Sequence, residues 1–138
     1  MNKQKTLNIA SAVLIGFTAF AVFMVSVQAF ISPQSVMDLV EVKLSNTDAY
    51  SSIRGVYGGI GLLLFIQLVY LAIKNKQQGL VVVALFGGLY AISRTLTILV
   101  EGKLGAFGTQ WLYTETFLCI MAIVLLLLRR SGISGAAK

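Results

Sequence analysis

Four long stretches of apolar residues follow one another along the chain, separated by short segments that hold most of its charged residues. As an α-helix, a stretch of about 20 residues crosses a hydrocarbon core about 30 Å thick with its backbone hydrogen bonds satisfied internally. The pattern therefore predicts four membrane-spanning helices. They cover about residues 7–30, 50–73, 80–100 and 111–128.

The flanks of these stretches differ in their basic residues. The flanks on one side hold seven: Lys3, Lys5, Lys74, Lys76, Arg129, Arg130 and Lys138. The flanks on the other side hold two, Lys43 and Lys103. Because cytoplasmic segments of membrane proteins carry the excess of Lys and Arg, we expect a multi-pass protein of the inner (cytoplasmic) membrane with both termini in the cytoplasm.

The connections between the stretches predict further detail. The turn at residues 74–79 is tight, so the second and third helices should be antiparallel neighbours. In the longer segment 31–49, Pro33 follows Ser32 as at a typical helix start, which predicts a short helix on the outer surface. The apolar side of that helix would consist of Val36, Leu39, Val40 and Val42. Asn46 and Asp48 provide a turn and an N-cap for the second long helix.

Composition narrows the class of protein. Of 138 residues, 57% are hydrophobic and 12% are charged, whereas about 25% are charged in a typical soluble domain. We therefore expect one all-α, integral membrane four-helix bundle over residues 1–130, followed by a disordered tail at 131–138. The net charge is +6, but most of the basic residues lie at the ends of apolar stretches, where membrane proteins place them. No role in nucleic-acid binding is therefore inferred.

The chain is poor in residues for metal or cofactor chemistry. It contains no histidine, and its single cysteine, Cys119, lies within an apolar stretch. Neither a thiolate metal cage nor a histidine-ligated haem or zinc site can be assembled from this set. No metal and no cofactor are therefore expected.

Three ionisable residues interrupt the apolar stretches. Such residues are costly within a membrane and normally face the bundle interior, where they find a partner. At 1.5 Å per residue, Arg54 and Glu115 lie about 6 Å below the outer ends of their helices, and Arg94 about 9 Å below. We therefore expect Glu115 to pair with Arg94, or with both arginines, at one level of the bundle.

Helical spacing adds neighbours to these charges, because residues three or four apart share a helix face. The resulting polar cluster consists of Arg54, Tyr57, Tyr90, Arg94 and Glu115. Its role stays open between a structural ion pair and a site for a lipid or small anionic ligand. Glycines at similar depths permit close helix packing. The predicted packing positions are Gly55, Gly58, Gly59, Gly61, Gly87 and Gly88.

The run from Arg54 to Gly59 (RGVYGG), together with Phe86-Gly87-Gly88, Arg94 and Glu115, resembles the domain-of-unknown-function family numbered 4345. That family comprises small four-helix membrane proteins, mostly from bacteria, with a looser likeness to the DoxX-like group. The resemblance covers nearly the whole chain and implies a four-helix bundle in a cytoplasmic membrane, but it implies no activity. The family pattern often has an acidic residue two positions before the arginine, where this chain has Ser52.

Three functions compete on these grounds. The favoured one is a non-enzymatic accessory protein, or a bundle that binds a lipid or small molecule at a polar site near the outer leaflet. The alternative is a homo-oligomeric transporter or channel-like protein, because four short helices rarely enclose a solute path alone. A membrane enzyme acting on a lipid or quinone, with Glu115 as acid or base, is least favoured because the sequence lacks histidine, a serine nucleophile elbow and a metal-ligand set.

Overall fold

The computed structural model describes residues 3–134. Its helices are α1 (Lys3–Ile31), α2 (Pro33–Asp38), α3 (Thr47–Ile53), α4 (Gly61–Lys74), α5 (Lys76–Val100) and α6 (Ala106–Ser134). A π-helical segment, Arg54–Ile60, joins α3 to α4, so that Thr47–Lys74 forms one continuous helix. We call α1, Thr47–Lys74, α5 and α6 the first to fourth long helices.

All four long helices are long enough and apolar enough to cross a membrane. Many of their large apolar side chains point away from the bundle; Val13 is 64% exposed and Leu99 is 77% exposed. Such extensive exposed apolar surface is typical of helices that face lipid. The structure thus confirms an all-α protein whose helices indicate a membrane protein, while the direction of insertion stays a prediction.

The long helices are arranged as two pairs. The first packs along the second and the third packs along the fourth, while the first also contacts the third and fourth. The second and third meet beside their connecting turn, where a Cβ atom at Gly79 would lie 3.3 Å from Cβ of Leu71. Their main packing partners are therefore the first and fourth helices rather than each other.

The largest buried cluster lies among all four long helices. Its members are Leu7, Ile15, Ala19, Leu68, Leu80, Val83, Leu118, Ala122 and Leu125. Three buried hydroxyls of the first helix, on Ser11, Thr18 and Ser26, donate to carbonyl oxygens one turn earlier in the same helix. These internal bonds satisfy the buried hydroxyls within their own helix.

A smaller cluster forms where α2 folds back on the end of the first helix. Val36 and Met37 are buried there against Ala29. The helix ends at Asp38, and the left-handed backbone of Glu41 (φ 58°) follows in the turn. The sequence predicts that Leu39, Val40 and Val42 belong to the apolar side of this helix, but they lie beyond the helix end and are exposed.

The helix ends define two faces of the bundle. We call the end that holds Lys3, the turn 74–76 and Arg129 the basic end, and the end that holds segments 32–46 and 101–105 the loop end. At the loop end, Oδ1 of Asn46 accepts a hydrogen bond from the backbone N–H of Ala49 at 2.8 Å, which confirms the predicted cap. α6 continues to Ser134, into the predicted tail, and residues 135–138 lie outside the described residues.

Candidate functional site

An ion pair between the third and fourth long helices forms the centre of the site. Nε of Arg94 donates to Oε2 of Glu115 at 2.6 Å, and a terminal guanidinium nitrogen donates to Oε1 at 2.9 Å. The Arg94 side chain is 20% exposed and that of Glu115 is 7% exposed. Two parallel charge-assisted bonds are the strong geometry for this pair. The structure thus contains the first of the two pairings that the sequence predicts, and the two charges compensate each other.

Glycines on the third helix bring its backbone close to the fourth beside this pair. A Cβ atom at Gly87 would lie only 2.7 Å from the carbonyl oxygen of Glu115 and 3.3 Å from the amide nitrogen of Cys119. A Cβ atom at Gly88 would lie 3.3 Å from Sγ of Cys119. Both glycines therefore lie at a close helix contact, and at Gly87 the opposing atoms belong to backbone that cannot turn aside.

Arg54 does not join the ion pair. Its Nε donates to the carbonyl oxygen of Phe30 at 3.2 Å, and the residue is exposed. The face of the second helix that holds Arg54 packs on the first helix, because a Cβ atom at Gly58 would lie 3.1 Å from the Phe30 ring and one at Gly61 would touch Oγ of Ser26. The alternative in which both arginines pair with Glu115 is therefore wrong.

The remaining two predicted packing glycines behave differently. A Cβ atom at Gly55 or at Gly59 would meet nothing within 4 Å. Both residues are exposed, so neither packs against another helix in the part of the chain that the structure describes. Both glycines lie on the side of the second helix that faces away from the first, so their role in helix packing stays a prediction.

The two remaining residues of the predicted cluster are tyrosines, and one of them lies beside the ion pair. Tyr90, one turn before Arg94, is 43% exposed and its ring packs on Phe86 with the ring centres 5.0 Å apart. The Tyr90 side chain lies within electrostatic range of Arg94, Glu115 and Tyr57. The Tyr57 ring, from the second helix, packs on the α2 cluster. Neither phenol hydroxyl hydrogen-bonds to another residue among those that the structure describes.

Four of the five predicted cluster residues thus lie in one region of the bundle: the paired Arg94 and Glu115, Tyr90 one turn along the same helix as Arg94, and Tyr57, which interacts electrostatically with Tyr90. They combine a neutral ion pair with two phenol groups, each able to donate one hydrogen bond and to accept others. Within residues 3–134, no group of three His, Cys, Asp or Glu side chains is placed to hold a metal ion. The arrangement is suited to hydrogen bonding with a polar group.

An apolar groove of about 670 Å³ lies between the first and fourth long helices. Its walls consist of Ala10, Val13, Leu14, Phe17, Tyr113, Thr114, Phe117, Leu118, Met121 and Leu125. No pattern in the sequence identifies this groove. Apolar residues at helical spacing predict a packed helix contact as well as they predict a groove. Only the distance between the two helices in the structure distinguishes these cases.

Comparison with known proteins supports the resemblance seen in the sequence. A family model described as "Domain of unknown function (DUF4345)" matches residues 10–126. The matched range contains all five residues of the predicted polar cluster. No curated protein and no solved structure matches the chain at a significant level. The chain therefore belongs to the DUF4345 family of domains of unknown function.

Proposed function

We propose that the protein is a non-enzymatic, lipid-binding protein of the inner membrane, with both termini in the cytoplasm. In this proposal, Tyr57, Tyr90, Arg94 and Glu115 bind the polar head of the ligand near the outer leaflet. The observation that supports it is the bidentate Arg94–Glu115 pair with the Tyr90 phenol beside it and the Tyr57 phenol in electrostatic contact with Tyr90. Neither phenol hydroxyl bonds to another described residue. Polar groups at this depth gain from a partner, because lipid tails supply none.

The charge balance favours an uncharged polar head over the small anion that the sequence suggests. Glu115 neutralises Arg94, and Arg54 donates to the Phe30 carbonyl oxygen instead of adding positive charge beside the pair. An anion would have to compete with Glu115 for Arg94 and leave that carboxylate buried without its partner, which is costly. Hydroxyl or carbonyl oxygens can bind to the phenols without disturbing the pair.

The same geometry disfavours acid or base chemistry at Glu115. Both carboxylate oxygens accept hydrogen bonds from Arg94, and the side chain is almost fully buried. A general acid or base needs one oxygen within hydrogen-bond distance of the proton that it transfers. We therefore assign Glu115 a positioning role that fixes Arg94 and the helix pair, and we propose no catalytic residue.

Native mass spectrometry of the purified full-length chain tests the proposal. We expect the wild-type protein to retain a lipid-like molecule in mild detergent, and the double variant Tyr57→Phe/Tyr90→Phe to retain roughly tenfold less, because two hydrogen bonds of about 0.5–1.5 kcal/mol each are removed. The rings remain in place, so the fold should be preserved. Far-ultraviolet circular dichroism verifies this.

Tyr70→Phe is the matched control. It makes the same chemical change on the same long helix, at a tyrosine that is 59% exposed and distant from the ion pair. Its ligand content should equal that of the wild type. A wild-type protein free of any bound molecule, or a double variant that retains as much as the control, would show that the tyrosines form no binding site.

A homo-oligomeric transporter is the second candidate, and one observation favours it. Gly55 and Gly59 have the spacing with which helices dimerise in membranes, and space for a partner is free on that side. Replacing both with leucine should convert an oligomer to monomers without loss of helicity. A wild-type protein that is monomeric in several mild detergents would remove this candidate.

A further inference from the structure

The acidic residues of the chain avoid one end of the bundle. All five, Asp38, Glu41, Asp48, Glu101 and Glu115, lie in the half nearer the loop end. With Lys43, Arg54, Arg94 and Lys103, the loop-end half carries a side-chain charge of −1. The basic end carries Lys3, Lys5, Lys74, Lys76, Arg129 and Arg130, and no carboxylate side chain.

Membrane topology alone does not explain this separation. The distribution of Lys and Arg determines orientation, whereas Asp and Glu contribute little to it. Carboxylates could therefore neutralise part of the basic end without changing the direction of insertion. Yet among the described residues no Lys or Arg of the basic end lies within ion-pair distance of a carboxylate.

Helix electrostatics make the arrangement more unusual. The first and third long helices both begin at the basic end, with Lys3 and Lys76 in their first turns and no acidic residue in either. A helix N-terminus carries partial positive charge, so lysines there are repelled and anions are attracted. The N-termini of these two helices add to the positive potential of the side chains, whereas the C-termini of the second and fourth helices, which lie at the same end, carry partial negative charge and offset it.

One basic side chain of this end is already held in position. Arg129 donates to Oδ1 of Asn8 at 2.8 Å and, at 3.4 Å, to Oγ of Ser11, which fixes its guanidinium between the first and fourth helices. A guanidinium has five N–H donors in a planar arrangement that suits phosphate oxygens. Arg129 therefore presents further donors beside the exposed Arg130.

We propose that the basic end binds the phosphate head groups of anionic phospholipids. The cations lie at the ends of apolar helices, which is the depth of head groups in a bilayer, and their charge is complementary to phosphate. This inference does not depend on the function proposed for the tyrosine site. It concerns the opposite end of the bundle and a different chemical class of head group.

Native mass spectrometry with added lipid tests it. The purified full-length chain is titrated in neutral detergent with phosphatidylglycerol and, separately, with phosphatidylcholine of the same acyl composition. We expect a preference of at least about tenfold for the anionic lipid at low ionic strength, which decreases as salt is added. The variant with Lys74→Gln, Lys76→Gln, Arg129→Gln and Arg130→Gln should reduce the preference to about twofold or less.

A charge-matched control separates local binding from net charge. Lys43→Gln/Lys103→Gln removes two charges from the loop end, and Lys74→Gln/Lys76→Gln removes two from the basic end, where the side chains make no ion pair that the fold needs. Only Lys74→Gln/Lys76→Gln should weaken the preference for phosphatidylglycerol. This comparison tests the proposal even if the fourfold variant does not fold. Equal binding of both lipids by the wild type, equal loss in the two double variants, or displacement of phosphatidylglycerol by millimolar inorganic phosphate would overturn the proposal.

Discussion

Gly87 offers the sharpest test of how the third and fourth long helices are held together. In Gly87→Ala, the new methyl group would lie 2.7 Å from the carbonyl oxygen of Glu115, whereas ordinary contact begins at 3.4 Å. The opposing atom belongs to helix backbone and cannot rotate away. The helices must therefore separate by about 0.7 Å, the difference between these two distances, beside the ion pair that joins them.

The expected cost follows from two opposing effects. Overpacking of this kind costs about 1–3 kcal/mol, while Ala in place of Gly within a helix stabilises by about 0.8–1 kcal/mol. Gly16→Ala is the matched control, because it makes the same change in the first long helix at a position where a Cβ atom would meet nothing within 4 Å. The difference in the free energy of unfolding between the two variants isolates the clash, and it should be about 1–3 kcal/mol.

Equilibrium unfolding in mixed micelles of mild detergent and sodium dodecyl sulfate measures this difference. The chain has a single tryptophan, Trp111, near the start of the fourth helix, and its fluorescence should report the separation of that helix from the third. Gly87→Ala should unfold at a lower dodecyl sulfate fraction than Gly16→Ala. If the two variants unfold together, the close backbone contact at Gly87 does not stabilise the helix pair and the reasoning fails.

The same unfolding assay checks three further expectations, and a fusion assay checks a fourth. Glu115→Ala and Arg94→Ala should each lower the free energy of unfolding by about 3–5 kcal/mol, because each leaves a buried charge unpaired. The double variant Arg94→Met/Glu115→Leu should lower it by much less than the sum of the two single effects. Additive losses would argue against the ion pair. Asn46→Ala should cost about 1 kcal/mol through loss of the helix cap, and an unchanged midpoint would contradict it. Gly61→Ala should destabilise by about 1–3 kcal/mol, and a second change, Ser26→Ala, should recover much of this by removing the opposing hydroxyl. Fluorescent protein fused to the C-terminus should fluoresce if that terminus is cytoplasmic, as the basic flanks predict, and a dark, exported fusion would reverse the orientation.

The four long helices could be predicted from the sequence because a helix that lies in lipid must be apolar over about 20 residues. A continuous apolar stretch of that length is a strong signal. Local caps are equally readable, as at Asn46, where one side chain bonds to a backbone group three residues on. The residue at which α2 ends could not be predicted from the sequence. Val40 and Val42 continue the apolar pattern beyond it, yet the turn at Glu41 exposes them.

Partner choice between helices is the information that the sequence lacks. Spacing correctly places Arg54, Gly58 and Gly61 on one face of the second long helix, but it does not say which helix that face meets. The structure packs it on the first helix, so Arg54 bonds to the Phe30 carbonyl and remains apart from Glu115. In membranes, small residues permit close approach to any neighbour, and apolar patterning is nearly uniform around each helix. A predicted face therefore does not identify its partner.

The hydrogen bond between Asn8 and Arg129 also constrains when the bundle can close during synthesis. It joins residues 121 positions apart, so at about 5–20 residues per second the ribosome needs roughly 6–24 s to supply the donor after the acceptor has been made. During that interval the first helix must wait in the translocon or bilayer with its polar start unmatched by the fourth. A chain that stalls or is truncated before Arg129 would keep Asn8 without this donor.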